Sequence, residues 1–190
     1  MPAMLARLLL FLCFASCTVG NSKGSAYDLL SGTANKTAVF AGGCFWCMEE
    51  AFERYVPGVM EAVSGFSGGE MTNPTYKNHN GHFEVVKVIY NPALTSYQVL
   101  VDYYWRNIDP FDDQGQFCDK GGAYKPAIFY SDDAERLIAE QSKAAIQEKL
   151  GAVKVVVPIL PTKPFWTGRG CTCPCKMKYE IKTWGQAQKI

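Results

Sequence analysis

The sequence predicts an α/β protein, an α+β two-layer sandwich in which a ferredoxin-like mixed sheet carries flanking helices. Short runs with period-two alternation alternate with amphipathic helical stretches along the chain. One pair of predicted strands, 59–66 and 82–90, has no helix between its members, which favours this class over a purely parallel sheet. Beyond the N-terminal segment, the remainder of the 190 residues has the length of one domain.

Five strands and three helices are predicted, each from a local pattern. The first helix begins after a Gly-Gly break, and Pro57-Gly58 ends it. Ser96 caps the second helix, which runs to about residue 107, and the third covers 132–150. Polar loops are predicted over 67–81 and 109–124. The strands are predicted at 36–41, 59–66, 82–90, 127–130 and 153–160.

Helical spacing predicts which side chains turn inward in the first two helices. Each has an apolar stripe, and in the first helix charged residues from Glu49 to Arg54 lie opposite that stripe. The side chains expected inside are Phe45, Met48, Phe52 and Tyr55 in the first helix, and Val99, Leu100, Tyr103 and Tyr104 in the second.

The N-terminus predicts an exported protein, periplasmic or anchored to a membrane. Arg7 precedes an apolar run, Leu8 to Ala15, which is too short to span a bilayer but suits a secretory signal peptide over residues 1–17. Small residues stand before Cys17, so a lipoprotein signal with Cys17 as the lipid anchor is an alternative. Plain cleavage a few residues on and an organelle transit peptide are further alternatives. Residues 18–35 are predicted to form a linker.

Composition limits the classes of partner. The net charge is +1 with acidic and basic residues interspersed, so we expect no nucleic-acid surface and no polybasic membrane face. We expect a catalytic domain over residues 36–165 and a divergent, cysteine-rich tail over 166–190. The partners must therefore be sought in the chemistry of the catalytic domain.

The motif Gly42-Gly43-Cys44-Phe45-Trp46-Cys47-Met48 places two cysteines three residues apart, where a strand turns into a helix. Unpaired N–H groups at a helix N-terminus favour a thiolate and lower a cysteine pKa. The glycines allow a sharp turn and keep bulk away from the Cys44 sulfur. Two other interpretations of the pair stay open, a structural disulfide and half of a metal site.

A second feature is the carboxyl of Glu84 in the strand Gly81 to Tyr90. Period two puts Glu84 on one face with Val86, Val88 and Tyr90. Desolvation on an apolar face raises a carboxyl pKa, so Glu84 would hold a proton near neutral pH and serve as a general acid. The alternative is that Glu84, near the start of the strand, points into solvent.

Four blocks of the chain together resemble the peptide methionine sulfoxide reductases of the A type. The blocks cover about residues 37–160. They read GGCFWCMEEAF, GFSGG with NPTY, GHFEVVKVIYNP with SYQVLVDYYW, and NIDPFDDQGQFCDKGGAYKPAIFY.

The resemblance implies an oxidoreductase that returns methionine-(S)-sulfoxide, free or in proteins, to methionine and so repairs oxidised proteins. It implies that Cys44 attacks the sulfur and is left as a sulfenic acid while Glu84 protonates the oxygen. It implies no metal and no prosthetic group, with thioredoxin or another dithiol as reductant, and we expect a monomer. By the same resemblance, Phe45 and Trp46 form the pocket for the substrate methyl, Tyr76 and Tyr124 hold the sulfoxide oxygen, and Asp119 is a loop aspartate of the site.

The second half of such a cycle needs another thiol to resolve the sulfenic acid. Cys47 is the nearest candidate in sequence, and Cys118, beside Asp119, is the other. We favour Cys47, and we assign no role to the tail cysteines of the CTCPC cluster. Two other classes of function stay open, a thiol-disulfide oxidoreductase that uses the CFWC pair and a module that binds structural zinc.

Overall fold

The computed structural model describes residues 34–168, which form a mixed α/β structure built on one six-stranded sheet. The order of the strands across the sheet is β7-β6-β1-β3-β2-β8, and β4 pairs with β5 in a separate small hairpin. The strands are β1 Lys36–Ala41, β2 Val59–Ser67, β3 Phe83–Tyr90, β4 Gly115–Gln116, β5 Asp119–Lys120, β6 Ala127–Tyr130, β7 Ile159–Pro161 and β8 Trp166–Thr167.

Three helices pack against the sheet: α1 Phe45–Tyr55, α2 Tyr97–Trp105 and α3 Asp133–Leu150. The hydroxyl of Ser96 caps α2 by accepting from Val99 N–H at 3.3 Å, and Asp132 caps α3 by accepting from Glu135 N–H at 2.8 Å. The main core lies between the sheet and these helices and includes Phe40, Val86 and Leu100. The predicted α+β class with flanking helices is confirmed.

Most neighbouring strands are antiparallel, and one pair is parallel. β3 lies between β1 and β2 with antiparallel pairing on both sides, β6 runs antiparallel to β1, and β7 runs parallel to β6. Because β3 is central, Val86, Val88 and Tyr90 enter the main core from one face, and Val85 enters a second core cluster on the other.

A crossing segment, residues 162–165, covers the second face and connects the two outer strands. β7 and β8 are five strand spacings apart, about 24 Å in a flat sheet at roughly 4.8 Å per spacing. Five residue steps from Pro161 to Trp166 span at most about 18 Å, so the sheet is curved. Phe165 packs against Gly65, and Lys87 lies 4.4 Å from the centroid of the Phe165 ring. Trp166 belongs to the residues that we assigned to the tail, yet it pairs with β2.

Two carboxylates of α1 complete the hydrogen bonding of β2 where no strand pairs with it. Glu53 accepts from the N–H of Ala62 at 3.0 Å, and Glu49 accepts from the N–H of Ser64 at 2.8 Å. Beyond that point β8 takes over, and Gly168 N–H donates to the carbonyl of Ser64 at 3.0 Å.

The prediction of a strand over 153–160 is wrong for most of its length, because only Ile159–Pro161 forms one. Backbone groups before it bond elsewhere: Val155 N–H donates to the side chain of Gln147 at 2.8 Å, and Val156 N–H to the carbonyl of Pro110 at 2.9 Å. The apolar pattern arises because Val155 and Val157 are buried without being paired in the sheet.

Two of the side chains predicted inside the helical stripes are exposed. Tyr55 is the last residue of α1, and the following Val56 is buried in its place. Val99 lies in the first turn of α2, where Leu100 and Val101 face the core. Within residues 34–168, no helix combines the length and the apolar character needed to cross a membrane. The predicted signal peptide and most of the linker and tail lie outside the described residues.

Candidate active site

Cys44 occupies the N-cap position of α1, directly after the Gly-Gly turn. Its backbone is not helical, with φ −57° and ψ 114°, and its carbonyl accepts from Cys47 N–H at 3.1 Å. Gly43 has a φ of +86°, which favours glycine. A Cβ at Gly43 would also lie 2.7 Å from the Cβ of Gln116. The turn therefore requires glycine and holds Cys44 at the helix start, as predicted.

The pKa of the Cys44 thiol is set by opposing neighbours. A hydrogen bond with the Cys47 thiol, followed by burial of the sulfur, raises the pKa well above its usual value. Backbone N–H groups of Cys47 and Trp46 act on the sulfur in the opposite direction. The predicted lowering of the Cys44 pKa is therefore wrong for the reduced enzyme, because the second thiol outweighs the helix end.

Glu84 lies near the start of β3 and bonds to the first residue of α1. Phe45 N–H donates to Oε2 at 3.2 Å, while Oε1 is buried and has no hydrogen-bond partner among the described residues. Burial raises the pKa of Glu84 to about 7; the Phe45 N–H opposes the rise and the charge of Asp119 adds to it. At 1% exposure, Glu84 does not point into solvent, and that alternative is wrong.

Aromatic rings line the region next to Cys44. The Trp46 ring meets the Phe45 ring edge-on at 4.8 Å and stacks on Tyr76 at 5.5 Å between centroids. Phe45 and Phe66 are buried, with centroids 5.5 Å apart, whereas Trp46 is half-buried. These rings form an apolar wall whose outer part, Trp46 and Tyr76, is accessible.

Tyr76 belongs to an exposed loop that a buried histidine anchors. Nδ1 of His82 accepts from Gly69 N–H at 3.3 Å, and Nε2 bonds to the carbonyl of Met71 at 2.9 Å. The two bonds assign the hydrogen to Nε2, because Nδ1 faces a donor and Nε2 faces an acceptor. The Tyr76 side chain itself is 41% exposed.

Tyr124 closes a short 3₁₀ turn, Gly122–Tyr124, and faces the same region. Burial raises its pKa to about 12, and the charges of Glu84, Tyr76, Asp119 and Cys44 contribute in that order. Each of those four groups lies within electrostatic range of the Tyr124 phenol. The side chains to which the family resemblance gives catalytic roles thus surround Tyr124 in the described part of the chain.

Asp119 and Cys118 lie on the β4–β5 hairpin. Gln116 pairs with Asp119, so Phe117 and Cys118 form the two-residue tip. Cys47 and Cys118 are both exposed, and the Cys47 thiol is hydrogen-bonded to Cys44. The structure therefore places one resolving candidate against Cys44 and the other on a hairpin tip.

Sequence reasoning missed two buried polar residues, His82 and Gln116, which anchor the two loops of the site. Neither lies in a periodic pattern that marks a polar side chain as buried. Within residues 34–168, no group of three or more histidine, cysteine or acidic side chains is arranged to hold a metal ion. Cys171, Cys173 and Cys175 lie outside the described residues.

The chain matches known proteins over this whole region. A family model described as peptide methionine sulfoxide reductase matches residues 36–170. The chain belongs to the peptide methionine sulfoxide reductase family. The protein MsrA 2 of Caulobacter vibrioides is 44% identical over 147 residues, which are 75% of this chain and 74% of that protein. MsrA of Ligilactobacillus salivarius is 47% identical over 135 residues, which are 68% of this chain and 78% of that protein.

Solved structures of methionine sulfoxide reductases have the same fold. Reduced Mxr1 from Saccharomyces cerevisiae superimposes with a TM-score of 0.65 at 27% identity, over 74% of this chain and 90% of Mxr1. Methionine sulfoxide reductase A of Corynebacterium diphtheriae superimposes with a TM-score of 0.61 at 27% identity, over 73% of this chain and 72% of that protein. The protein is accordingly an oxidoreductase that returns methionine sulfoxide to methionine and repairs oxidised proteins. The predictions of family and reaction are confirmed.

Proposed function

We propose that this reductase acts on the S epimer of methionine sulfoxide, with Cys44 as the nucleophile and Glu84 as the general acid. The observation that carries the proposal is the shared position of the two groups at the start of α1. Cys44 is the N-cap residue, and Glu84 bonds to the next N–H while its second oxygen is buried and unpartnered. A sulfoxide needs a thiol on its sulfur and a proton on its oxygen, and this arrangement supplies both.

The proton for the reaction starts on the thiol. Because the pKa of Cys44 is raised and that of Glu84 is about 7, the pair holds one proton above about pH 7, mostly on sulfur. Its transfer to Glu84 creates the thiolate and the acid together. The thiolate sulfur then attacks the sulfoxide sulfur while Glu84 protonates the oxygen. The resulting hydroxyl passes to the Cys44 sulfur, the original S–O bond and the bond between the two sulfurs break, and methionine leaves. The sulfoxide is reduced by two electrons while Cys44 is oxidised to a sulfenic acid that keeps the oxygen and the proton.

The remaining side chains hold the substrate. Phe45 and Trp46 offer an apolar surface to the methyl group. The phenols of Tyr76 and Tyr124 donate to the sulfoxide oxygen, and the raised pKa of Tyr124 keeps it a donor at every physiological pH. Asp119 acts through Glu84, since its negative charge adds to the rise of the Glu84 pKa.

Cys47 resolves the sulfenic acid by attacking its sulfur, which forms a Cys44–Cys47 disulfide and releases water. The hydrogen bond between the two thiols supports this choice over Cys118. Cys44 is already outside the helical backbone conformation, so bond formation disturbs only the first turn of α1. Thioredoxin then reduces the disulfide, a step supported by the likeness to Mxr1 in its complex with Trx2, at a TM-score of 0.55 and 25% identity.

An epimer-resolved assay tests the reaction. A mixture of dabsylated methionine S- and R-sulfoxides is incubated with the enzyme and dithiothreitol, and each epimer is followed separately. We expect only the S epimer to be consumed. Consumption of the R epimer at an equal rate would overturn the assignment. Insulin reduction without sulfoxide would instead indicate a general thiol-disulfide oxidoreductase.

Mass spectrometry after one turnover tests the resolving thiol. Cys47→Ser should reduce one equivalent of sulfoxide and then stop when thioredoxin is the only reductant. Cys118→Ser, the matched control on the hairpin tip, should cycle like the wild type. A bridge from Cys44 to Cys118 or to a tail cysteine, or full cycling by Cys47→Ser, would exclude Cys47.

The same proposal places the enzyme outside the cytoplasm, where the leader over residues 1–17 would direct it. Support comes from Arg7, the apolar run up to Ala15, and the small residues before Cys17. The mass of the mature N-terminus, measured after expression in a bacterial host, decides between cleavage, lipidation of Cys17 and retention of the leader.

A further inference from the structure

We infer that Gln116 is a positioning residue for this reaction, one that fixes the loop carrying Asp119 and Tyr124 against the turn that holds Cys44. The inference rests on the proposed roles of these residues and adds a residue to which neither the sequence nor the comparisons assign one. Its basis is a buried amide whose bonds and packing connect the two parts of the site.

The amide of Gln116 is 1% exposed and uses all its principal bonding capacity within the loop. Its Oε1 accepts from Asp109 N–H at 2.7 Å. Its Nε2 donates to the carbonyl of Asp109 at 2.9 Å and to that of Gly115 at 2.8 Å. One side chain therefore satisfies three backbone groups, and each would be left unpaired by its removal.

The stem of the same side chain packs against the catalytic turn. At Gly43, next to Cys44, an added Cβ would lie 2.7 Å from the Cβ and 3.3 Å from the Cγ of Gln116. The backbone of Gln116 pairs with Asp119 across the hairpin. Movement of this side chain would therefore change the distance between the Cys44 turn and the loop with its acid and phenol.

The consequence lies in selectivity as well as in rate. The sulfur of a bound sulfoxide faces Cys44 while its oxygen faces Glu84 and the phenols. The two epimers exchange the positions of the methyl group and the rest of the side chain relative to that oxygen. When the loop fixes the oxygen and Phe45 and Trp46 fix the methyl group, only one epimer keeps its sulfur against Cys44. A displaced loop loosens the first of these constraints. A misplacement of about 1 Å costs roughly 10²-fold in rate, which sets the scale of the effect.

The test compares Gln116→Ala and Gln116→Glu with Gln114→Ala and Gln114→Glu. Gln114 is a matched control because it is exposed in the same loop and its amide donates to the adjacent Asp113 at 2.7 Å. Single-turnover rates with each epimer are measured for every variant, and circular dichroism reports the folded fraction. We expect Gln116→Ala to lose about 10- to 100-fold in rate on the S epimer and to narrow the ratio between epimers, while both Gln114 variants keep wild-type values.

Gln116→Glu adds a second measurement, the pH dependence of the rate, which would not change if Gln116 only stabilised the fold. Its ionised carboxylate would face two carbonyl oxygens, whereas the protonated form donates to one of them. Position 116 is buried and is bonded to Asp109 and paired with Asp119, so the pKa of the introduced carboxyl lies above its usual value. Its rate relative to wild type should fall at least tenfold from pH 6 to pH 8 while the protein stays folded.

Three outcomes overturn the inference. They are a Gln116→Ala variant with wild-type rate and epimer ratio, a Gln116→Glu ratio that is constant with pH, and rate losses that match the loss of folded protein. If the wild type itself fails to distinguish the epimers, the proposed function fails, and the rate ratio of Gln116→Glu to wild type still reports on Gln116.

Discussion

The half of the site that reacts and the half that receives the substrate are held in different ways. Cys44 and Glu84 lie on a helix end and a central strand, among residues of the core. Tyr76 and Asp119 lie on exposed loops, each anchored by one buried polar side chain, His82 or Gln116. The reacting atoms are thus fixed by the fold itself, while the substrate contacts depend on a few hydrogen bonds. Substitutions in the first half should remove chemistry, and those in the second should alter binding and selectivity.

The largest effect is expected at the nucleophile. Cys44→Ser should show no sulfoxide reduction, because a serine hydroxyl has no comparable anionic fraction and cannot accept the oxygen as a sulfenic acid does. Single-turnover assays with dithiothreitol measure this, with Cys118→Ser as the control that should keep its first turnover. Any measurable turnover by Cys44→Ser would show that another residue is the nucleophile.

Glu84→Gln should lose roughly 10²- to 10⁴-fold in single-turnover rate, the usual scale for a general acid. The amide keeps the bond from Phe45 N–H but delivers no proton. Rates on the S epimer measure the loss. Glu53→Gln changes an exposed carboxylate of α1 that accepts from Ala62 N–H, and it should react like the wild type. An unchanged rate for Glu84→Gln would show that the Glu84 carboxyl takes no part in the reaction.

Stability provides the control for the same variant. The folded pKa of Glu84 is raised from 4.5 to about 7, so the protonated carboxyl is the form that the fold favours. Its contribution to stability is fully present below about pH 4.5 and is lost as pH rises through about 7. Denaturation at several pH values gives the free energy of unfolding. It should show this loss with rising pH in the wild type and not in Glu84→Gln.

The tyrosines should matter less than the reacting pair. Tyr124→Phe removes a half-buried donor to an oxygen that develops charge, which costs about 1–3 kcal/mol, or roughly 5- to 150-fold. Tyr76→Phe should cost less, because its hydroxyl belongs to a side chain that is 41% exposed. Measurement of kcat and KM for each single variant and for the double variant would show whether the phenols act together. A larger effect at Tyr76 would contradict the burial argument.

The mildest test changes only pH. Because the reactive state of the Cys44–Glu84 pair holds one proton, a second proton on the carboxyl inactivates it, and the first-turnover rate should fall about tenfold per pH unit below about 7. Above that value the rate should be flat until the thiol titrates. Stopped-flow measurements give the first-turnover rate at each pH. The Glu84→Gln control should show no fall in rate at acidic pH.

Local periodicity was sufficient to predict β1, β2, β3 and β6 and the placement of Cys44. β3 alternates clearly, and Gly42-Gly43 marks the turn into α1. It failed over 153–160, because Val155 and Val156 bond to a side chain and to a distant loop. A hydrophobic pattern predicts which side chains are buried, but it does not predict which groups complete the backbone hydrogen bonds.

The positions of Cys44 and Glu84 in the fold were predictable, and their electrostatics were less so. The face of Glu84 followed from period two, but its burial depends on α1 lying over the strand. The raised pKa of Cys44 depends on how the Cys47 side chain is oriented, which spacing does not specify. Gln116 gave no signal, because a buried amide in a loop has no period.

The bonds from β2 to two carboxylates of α1 bear on how this enzyme meets its protein substrates. A protein that repairs oxidised proteins meets chains that have lost part of their native structure, and an open sheet edge is a template on which such chains aggregate. Here the outer strands β7 and β8 have three and two residues, and Glu53 and Glu49 occupy the N–H groups of Ala62 and Ser64. Within residues 34–168, the sheet therefore has short edges and partly occupied N–H groups for a partly unfolded substrate protein to pair with.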